Sequence, residues 1–366
     1  MKKSAAIITL SFLVWQCSEP IDTYYGFEDF DLLKVGSGIS DLIVSKDGNT
    51  LVASDMSNNS LIFIDIKGEM SIETSLAVGS RPKSLDLSFT GDTLFVALYG
   101  GSEIAMVDLS SRTLIGKINT EDDGPFDISF LPGNKIVASF LSSYQYDNKI
   151  KLLGIKSSES LATEETVAGL LVASNTGSEI FVCDDFYGSA RIHRFSIGLE
   201  SLSGQKTSSP IADDVIFQDI DYVPGYGIVL AIKGLDFEGF EVGHAYVFNE
   251  ENLNLTAQLD VKSHAVAVAH SSQGTNGKSI FIAPSKADDA GMFIVEFSPE
   301  TNLQINYYMT AGIIGLGTLA VDPAGEFLYA AVDDFSDNES FEPFNNNSFD
   351  IQRIEIVPEG TYPINK

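Results

Sequence analysis

The chain has 366 residues, of which 44% are hydrophobic, and its 51 acidic residues outnumber its 22 Lys and Arg residues, giving a formal net charge of −29. A surface with this charge repels phosphate backbones, so the composition argues against nucleic-acid binding. It is compatible with solubility outside the cell, with cation binding and with a basic partner. The length allows two or three domains or one large all-β domain.

The N-terminus carries the features of an export signal. Met1-Lys2-Lys3 precedes the apolar run "AAIITLSFLVW", and this order predicts a secretory signal peptide over residues 1–16. A run of 11 residues is too short to cross a bilayer as a stop-transfer helix. The stretch "LVWQC" resembles the lipobox of bacterial lipoproteins, which implies cleavage before Cys17 and lipidation of that residue. Gln16 and Trp15 depart from the usual lipobox pattern, and the alternatives are an ordinary signal peptide or a membrane-retained N-terminus.

The predicted location follows from this resemblance. We expect an exported protein of the cell envelope, anchored by lipid at Cys17 to a bacterial membrane, with residues 17–28 as a tether. Ser18-Glu19 resembles the short polar and acidic signals that direct some lipoproteins to the outer membrane or the cell surface. The second cysteine, Cys183, lies in the alternating strand "EIFVCDD" and is predicted to be a buried small hydrophobic residue.

Internal repeats dominate the rest of the chain. The segment "VGSGISDLIVSKDGNTLVASDMSNNSLIFIDI" aligns at an offset of 43 with "VGSRPKSLDLSFTGDTLFVALYGGSEIAMVDL", and five weaker copies follow, to about residue 356. Each copy contains short strands with period-2 alternation separated by turn signals, and such repeats predict four-stranded propeller blades. No long segment beyond the leader shows helical periodicity. The sequence therefore predicts an all-β, seven-bladed β-propeller over residues 29–358, followed by a tail at 359–366.

The copies resemble the YVTN-type β-propeller repeats. The resemblance lies in "SKDGNTLVAS…SLIFID", "SFTGDTLFVA…EIAMVD" and "DPAGEFLYAA", although the tetrapeptide that names the family is degenerate here. WD40-like and lactonase-like propellers fit the same pattern. The resemblance covers nearly the whole mature chain and implies a fold, but says little about function.

The last repeat contains only three strands. Residues 29–35, "DFDLLKV", occupy the position relative to the first repeat that "SLAV" fills before the second. We therefore expect this N-terminal strand to complete the last blade and close the ring, which leaves no open radial edge. The alternative is an independent N-terminal arm.

Acidic residues recur near the predicted channel mouth. Alignment of the innermost strands gives an equivalent position whose occupants are Asp41, Ser84, Asp127, Leu170, Asp219, Ala265 and Thr318. Converging carboxylates would bind a hard divalent cation such as calcium. The alternative is that each aspartate bonds neighbouring backbone amides. The sequence leaves the cofactor unknown.

Further acids fall in loops predicted for the same face. Those assigned to ligand binding are Asp184, Asp185, Asp333 and Asp334, together with the aromatic Phe335 of the long loop "DDFSDNESFEPFNNNSF". Long loops on a rigid scaffold often carry function. The alternative is a solvated insertion.

Three classes of function remain, of which the third is a purely structural component of the envelope. The favoured one is a binding module whose acidic loop face meets a protein, peptide or glycan partner. The second is a lactonase-like or lyase-like enzyme with a metal or a His/Asp site, for which His264, Asp219 and Asp127 are the candidates. His264 is the one plausible general base, and a structural role is its alternative.

Overall fold

The computed structural model describes residues 30–141, 148–165, 167–184, 190–211, 215–234, 244–261, 263–284, 293–333 and 348–360. The chain divides into two units, Met1–Phe30 and Asp31–Lys366. The predicted signal peptide, Cys17 and the tether all lie outside the described residues.

The described residues form 28 strands arranged in seven four-stranded antiparallel sheets, with no helix among them. We number these sheets as blades in chain order. Blades 1 to 3 contain β2 (Ile39–Val44), β3 (Thr50–Asp55), β4 (Ser60–Asp65) and β5 (Ser71–Ala77); β6 (Pro82–Leu87), β7 (Thr93–Leu98), β8 (Glu103–Asp108) and β9 (Thr113–Asn119); and β10 (Pro125–Leu131), β11 (Lys135–Phe140), β12 (Lys149–Gly154) and β13 (Ser160–Glu165). The repeats in this part of the sequence thus correspond to whole blades.

The remaining blades follow the same order, except at the end of the chain. Blades 4 and 5 contain β14 (Leu170–Ala173), β15 (Glu179–Asp184), β16 (Arg191–Ile197) and β17 (Leu202–Thr207); and β18 (Ile216–Val223), β19 (Gly227–Lys233), β20 (His244–Phe248) and β21 (Leu255–Asp260). Blade 6 contains β22 (Ala265–Ser271), β23 (Ser279–Pro284), β24 (Phe293–Phe297) and β25 (Gln304–Met309). Blade 7 contains β26 (Ile313–Val321), β27 (Phe327–Asp333), β28 (Ser348–Glu355) and, as its fourth strand, β1 (Asp31–Ser37).

The blades form a closed ring around a channel. The first strand of each blade contacts the first strand of the next, and β26 contacts β2 to complete the circle. Fourth strands such as β5 are largely exposed, whereas second strands such as β3 are almost wholly buried. The first strands therefore line the channel and the fourth strands lie at the rim, which confirms the predicted seven-bladed propeller.

The hydrophobic core is divided among the seven interfaces between neighbouring blades. Each of the seven buried clusters joins two adjacent blades, and one of them packs Ile39, Leu51 and Ile64 of blade 1 against Tyr329 and Ile351 of blade 7. Sheets stacked face to face in this way bury side chains on both faces. This explains why the second strands carry continuous apolar runs. Cys183 is buried in the cluster between blades 4 and 5.

One turn recurs between first and second strands. In blade 1 the N–H of Ser45 donates to the carbonyl of Thr50 at 2.8 Å, and the N–H of Gly48 donates to the carbonyl of Ser45 at 2.9 Å. Gly48 has φ of +69°, a conformation that glycine adopts without steric cost. The same pair of bonds occurs in blades 2, 4 and 7. The "SKDG", "SFTG", "SNTG" and "DPAG" stretches of the sequence are thus one structural element.

The N-terminal strand closes the last blade. β1 pairs antiparallel with β28 from Asp31, opposite Arg353, to Ser37, opposite Ser348. The Arg353 side chain binds the Asp31 carboxylate through Nε at 2.6 Å and also donates to the carbonyls of Ile66 and Gly68 in blade 1. The predicted strand at 29–35 is therefore confirmed, shifted by two residues toward the C-terminus.

The chain end after β28 is fixed to blade 6 by a buried polar network. The Glu296 side chain is fully buried and accepts hydrogen bonds from four side chains of the same blade: Asn276 at 3.0 Å, Ser279 at 2.6 Å, Asn306 at 2.9 Å and Tyr308 at 2.6 Å. Asn276 and Asn306 also donate to the carbonyl of Val357, at 2.8 and 3.0 Å. Glu296 thus orients two amides that hold the C-terminal segment.

Candidate binding site at the channel mouth

One face of the ring carries the predicted loop residues that the structure describes. We call it the entrance face: here each first strand begins, each second strand ends and each third strand begins. Asp184 at the end of β15 and Asp333 at the end of β27 lie at this face. Asp184 lies beside His193, with 3.7 Å between the carboxylate and Nε2, but burial lowers the pKa of His193 to about 4, so the pair is not an ion pair at neutral pH. Asp185, Asp334 and Phe335 lie outside the described residues.

The three predicted channel aspartates join neighbouring blades. Each carboxylate accepts one backbone N–H from the next residue of its own strand and a second from the first strand of the following blade. The donors are Leu42 (2.7 Å) and Leu85 (2.7 Å) for Asp41, Ile128 (2.8 Å) and Leu171 (2.7 Å) for Asp127, and Ile220 (2.8 Å) and Val268 (2.9 Å) for Asp219. Both oxygens of each group are therefore engaged in the channel wall.

Blade 2 has the same device two residues further along its first strand. Asp86 accepts the N–H of Leu87 at 2.7 Å and that of Phe130 in blade 3 at 2.6 Å. Ser84, at the aligned position itself, donates to Asp127 at 2.6 Å. Asp86 was missed by the sequence alignment because it lies off the compared position.

The sequence alignment is wrong by two residues in blade 6. Asp219 reaches Val268, and Val268 follows Ala267, so Ala267 and not Ala265 is equivalent to Asp41. The reason is that the first strand of blade 6, "AVAVAHS", repeats small apolar residues and has no polar residue at the equivalent position to fix the alignment. The bulge between Ala265 and Ala267 has counterparts in blades 1, 3 and 5.

Burial raises the pKa values of these carboxyl groups. The pKa of Asp219 is raised to about 8 and that of Asp86 to about 6, because burial disfavours the charged form more than the backbone donors favour it. Burial also raises the pKa values of Asp41 and Asp127. Carboxylates near Asp41 and Asp219 add to the effect, and Asp127 is among these neighbours in both cases.

These pKa values predict a pH-dependent stability. A carboxyl group whose pKa is raised by folding binds its proton more tightly in the folded state, so its contribution is fully present below the unfolded pKa of about 3.9 and is lost as pH rises through the folded pKa. We expect the melting temperature of the full-length protein in detergent to fall as pH rises from about 5 to about 9. Asp219→Asn should flatten the upper part of this profile, whereas Asp123→Asn, at an exposed site, should not. A D219N profile parallel to that of the wild type would contradict the assignment.

The hydrogen bonds described for the predicted catalytic residues His264, Asp127 and Asp219 do not connect these residues to one another. The buried His264 accepts the N–H of Gly234 at Nδ1, 3.4 Å away. The carboxylates of Asp127 and Asp219 accept from backbone groups, and Asp127 also from Ser84. Over the described ranges, no group of three or more His, Cys, Asp or Glu side chains is arranged to hold a metal ion. The described geometry thus supports architectural roles for these aspartates.

A histidine and aspartate pair that the sequence analysis missed lies between blades 5 and 6. His270 Nδ1 is 2.7 Å from the Asp221 carboxylate, and both side chains are partly accessible. The Asp221 charge raises the pKa of His270, despite burial. The two residues are 49 positions apart, and no local spacing rule connects them.

Basic and aromatic side chains also meet at the entrance face of blades 2 and 3. The Lys83 ammonium lies 4.2 Å from the centre of the Phe126 ring, and the Arg81 guanidinium lies 5.0 Å from that of Tyr99. Tyr99 meets Phe126 edge to face at 6.1 Å. We call these four residues the mouth cluster. Sequence comparison missed it because its members occupy positions that differ in chemistry from copy to copy.

The comparisons with known proteins concern the fold. No protein-family model and no curated protein matches the chain. The hydrazine synthase of Kuenenia stuttgartiensis has a similar structure, with a TM-score of 0.68 and 17% identity, covering 89% of this chain and 98% of that one. The Cps50 (Swd1) β-propeller domain of Myceliophteria thermophila has a TM-score of 0.62 and 12% identity, covering 87% of this chain and 98% of its own. At these identities the likeness establishes the propeller fold alone.

Proposed function

We propose that this protein is a binding module of the bacterial cell envelope, lipid-anchored at Cys17, which presents the entrance face of its propeller to a protein, peptide or glycan partner. The observation that carries the proposal is that the channel aspartates use both carboxylate oxygens within the wall. Because these carboxylates are engaged, the groups left to contact a partner are those of the mouth cluster, namely two aromatic rings and two cations. We also assign the repeats to the YVTN type, on their shared turn.

The anchor is supported by the sequence and by the number of residues between Cys17 and the first strand of the propeller. β1 begins at Asp31, 14 residues after Cys17, and 14 residues span at most about 45 to 50 Å when extended. Across the described residues, no helix is long and apolar enough to cross a membrane.

The anchor is tested by replacing the lipidated residue. We expect the wild-type protein to enter the detergent phase on phase separation. The Cys17→Ser variant should remain in the aqueous phase, because it cannot carry the acyl groups that anchor the wild type. Cys183→Ser is the matched control and should behave as the wild type. Detergent-phase partitioning of C17S would contradict the lipid anchor.

The binding face is tested by site-specific photo-crosslinking in cells. The photoreactive residue replaces either Tyr99, which follows β7 at the entrance face, or Phe89, which precedes β7 at the opposite face and is 51% exposed. We expect a discrete adduct from position 99 and none from position 89. Adducts from position 89 alone, or from neither position, would contradict the proposed face.

A further inference from the structure

Lys83 is the single charged residue in its ring of equivalent positions around the mouth. The strand register places one such residue in each blade, immediately before the position of Asp41. These residues are Ser40, Lys83, Phe126, Gly169, Gln218, Val266 and Gly317. The ring is therefore asymmetric: blades 2 and 3 present a cation and an aromatic ring, whereas blades 4 and 7 present glycine.

The Lys83 ammonium has N–H donors that no described residue accepts. It lies over the Phe126 ring, and among the described residues none accepts a hydrogen bond from it. Asp41, Asp127 and Asp219 are its electrostatic neighbours, but their oxygens accept backbone N–H groups of the wall. An ammonium has three donors, and Lys83 is partly accessible to solvent, so a ligand can supply the acceptors.

A strained backbone position supports the mouth cluster. Arg81 has φ of +53°, and the equivalent residues of blades 1 and 3 are Gly38, with φ of +78°, and Gly124, with φ of +71°. A left-handed conformation is unfavourable for a residue with a side chain. In blade 2 the position nevertheless carries arginine, and its side chain is stacked on Tyr99.

We propose that Lys83, lying against Phe126 and Tyr99, binds the carboxylate of a small monocarboxylic acid with an apolar or ring portion. This inference rests on the proposed binding function and names the chemistry of its ligand. A carboxylate supplies the acceptors that the ammonium lacks, and charge-assisted hydrogen bonds are stronger than neutral ones. The net charge of −29 repels polyanions. A monocarboxylic acid carries a single negative charge, so its repulsion is modest and is offset by contact with Lys83. The apolar portion of the acid lies on the two rings.

Titration of Lys83 gives an independent readout. Burial lowers its pKa, against the opposing effect of Asp127 and Asp41. A bound carboxylate favours the charged ammonium, so the ligand raises the pKa of Lys83. Proton uptake on binding, measured by calorimetry in buffers of different ionisation enthalpy at alkaline pH, is the expected signature.

The test uses the full-length protein in detergent, in buffer without other carboxylates, and titrates benzoate, acetate and benzamide. We expect benzoate to bind more tightly than acetate, and benzamide to bind at least tenfold more weakly than benzoate. Lys83→Met, which keeps the apolar stem, should weaken benzoate binding tenfold or more. Lys46→Met is the matched control, because the Lys46 ammonium also lies over a ring, that of Phe89, but donates to the Phe89 carbonyl. It should bind benzoate as the wild type does.

A second variant keeps the test valid if K83M fails to fold. Phe126→Leu should weaken benzoate binding more than acetate binding, because only benzoate uses the ring. Failure of the wild type to bind benzoate, or equal binding of benzoate and benzamide, would overturn the inference. An adduct from position 99 in cells together with no benzoate binding would refute the ligand chemistry while leaving the binding face intact.

Discussion

Removal of residues 29–37 should lower the melting temperature of the protein by about 10 °C. The deletion removes β1, and with it the backbone ladder to β28 and the side-chain bond between Asp31 and Arg353. It also uncovers Leu33 and Val35, which pack on the cluster between blades 1 and 7. Ladder bonds of about 1 kcal/mol each together with apolar burial give a loss of about 5 kcal/mol, and in large domains each kcal/mol shifts the melting temperature by about 2 to 4 °C.

The matched control removes residues 20–27 of the tether, which precede β1. This deletion is similar in length and should leave the melting temperature within about 1 °C, because it keeps β1 and its ladder to β28 intact. Equal melting of the two deletion variants would mean that β1 does not stabilise the ring.

Glu296→Gln should also be strongly destabilising. Four side chains donate to the buried carboxylate, and an amide in its place offers one acceptor oxygen and adds two donors. Several buried donors lose their acceptor, at about 1 to 3 kcal/mol each. A total of about 3 kcal/mol lowers the melting temperature by about 6 to 12 °C.

Limited proteolysis distinguishes this network from a general packing effect. Because Asn276 and Asn306 hold the carbonyl of Val357, E296Q should release the C-terminal segment, which then is cleaved faster than the rest of the chain. Glu300→Gln, at an exposed site of the same blade, is the control and should alter neither melting nor cleavage. A variant E296Q that melts with the wild type would rule out the network as a source of stability.

The closed ring could be predicted from the sequence, whereas the site could not. The turn glycines and alternating strands repeat visibly, and a last repeat with three strands needs a fourth from elsewhere. The roles of the channel residues depend on contacts between blades, such as that of Asp127 with Leu171, 44 positions later. No local pattern encodes such a register, and in blade 6 the repeated Ala-Val pairs of the first strand give no polar residue that would mark it.

The sequence also did not reveal the surroundings of two single charged residues, Glu296 and Lys83. Glu296 stands in "FIVEF", where an acid inside an apolar third strand was the available signal. Lys83 is flanked by Pro82 and Ser84, and its lone ammonium has no sequence signature because the ring beside it belongs to another blade. Chemistry that arises between repeats is invisible within any one of them.

The aspartate links do not occur at every joint of the ring. They connect blades 1 to 4 in series and blade 5 to blade 6, whereas Leu170 and Ala267 occupy the equivalent positions before blades 5 and 7. Since Asp31 and Arg353 bring the two ends of the described ring together, the propeller without residues 1–30 can be closed by a short linker between these ends and the chain reopened elsewhere. The joint between blades 4 and 5 is then the natural place for a circular permutant, because new termini there interrupt no aspartate link.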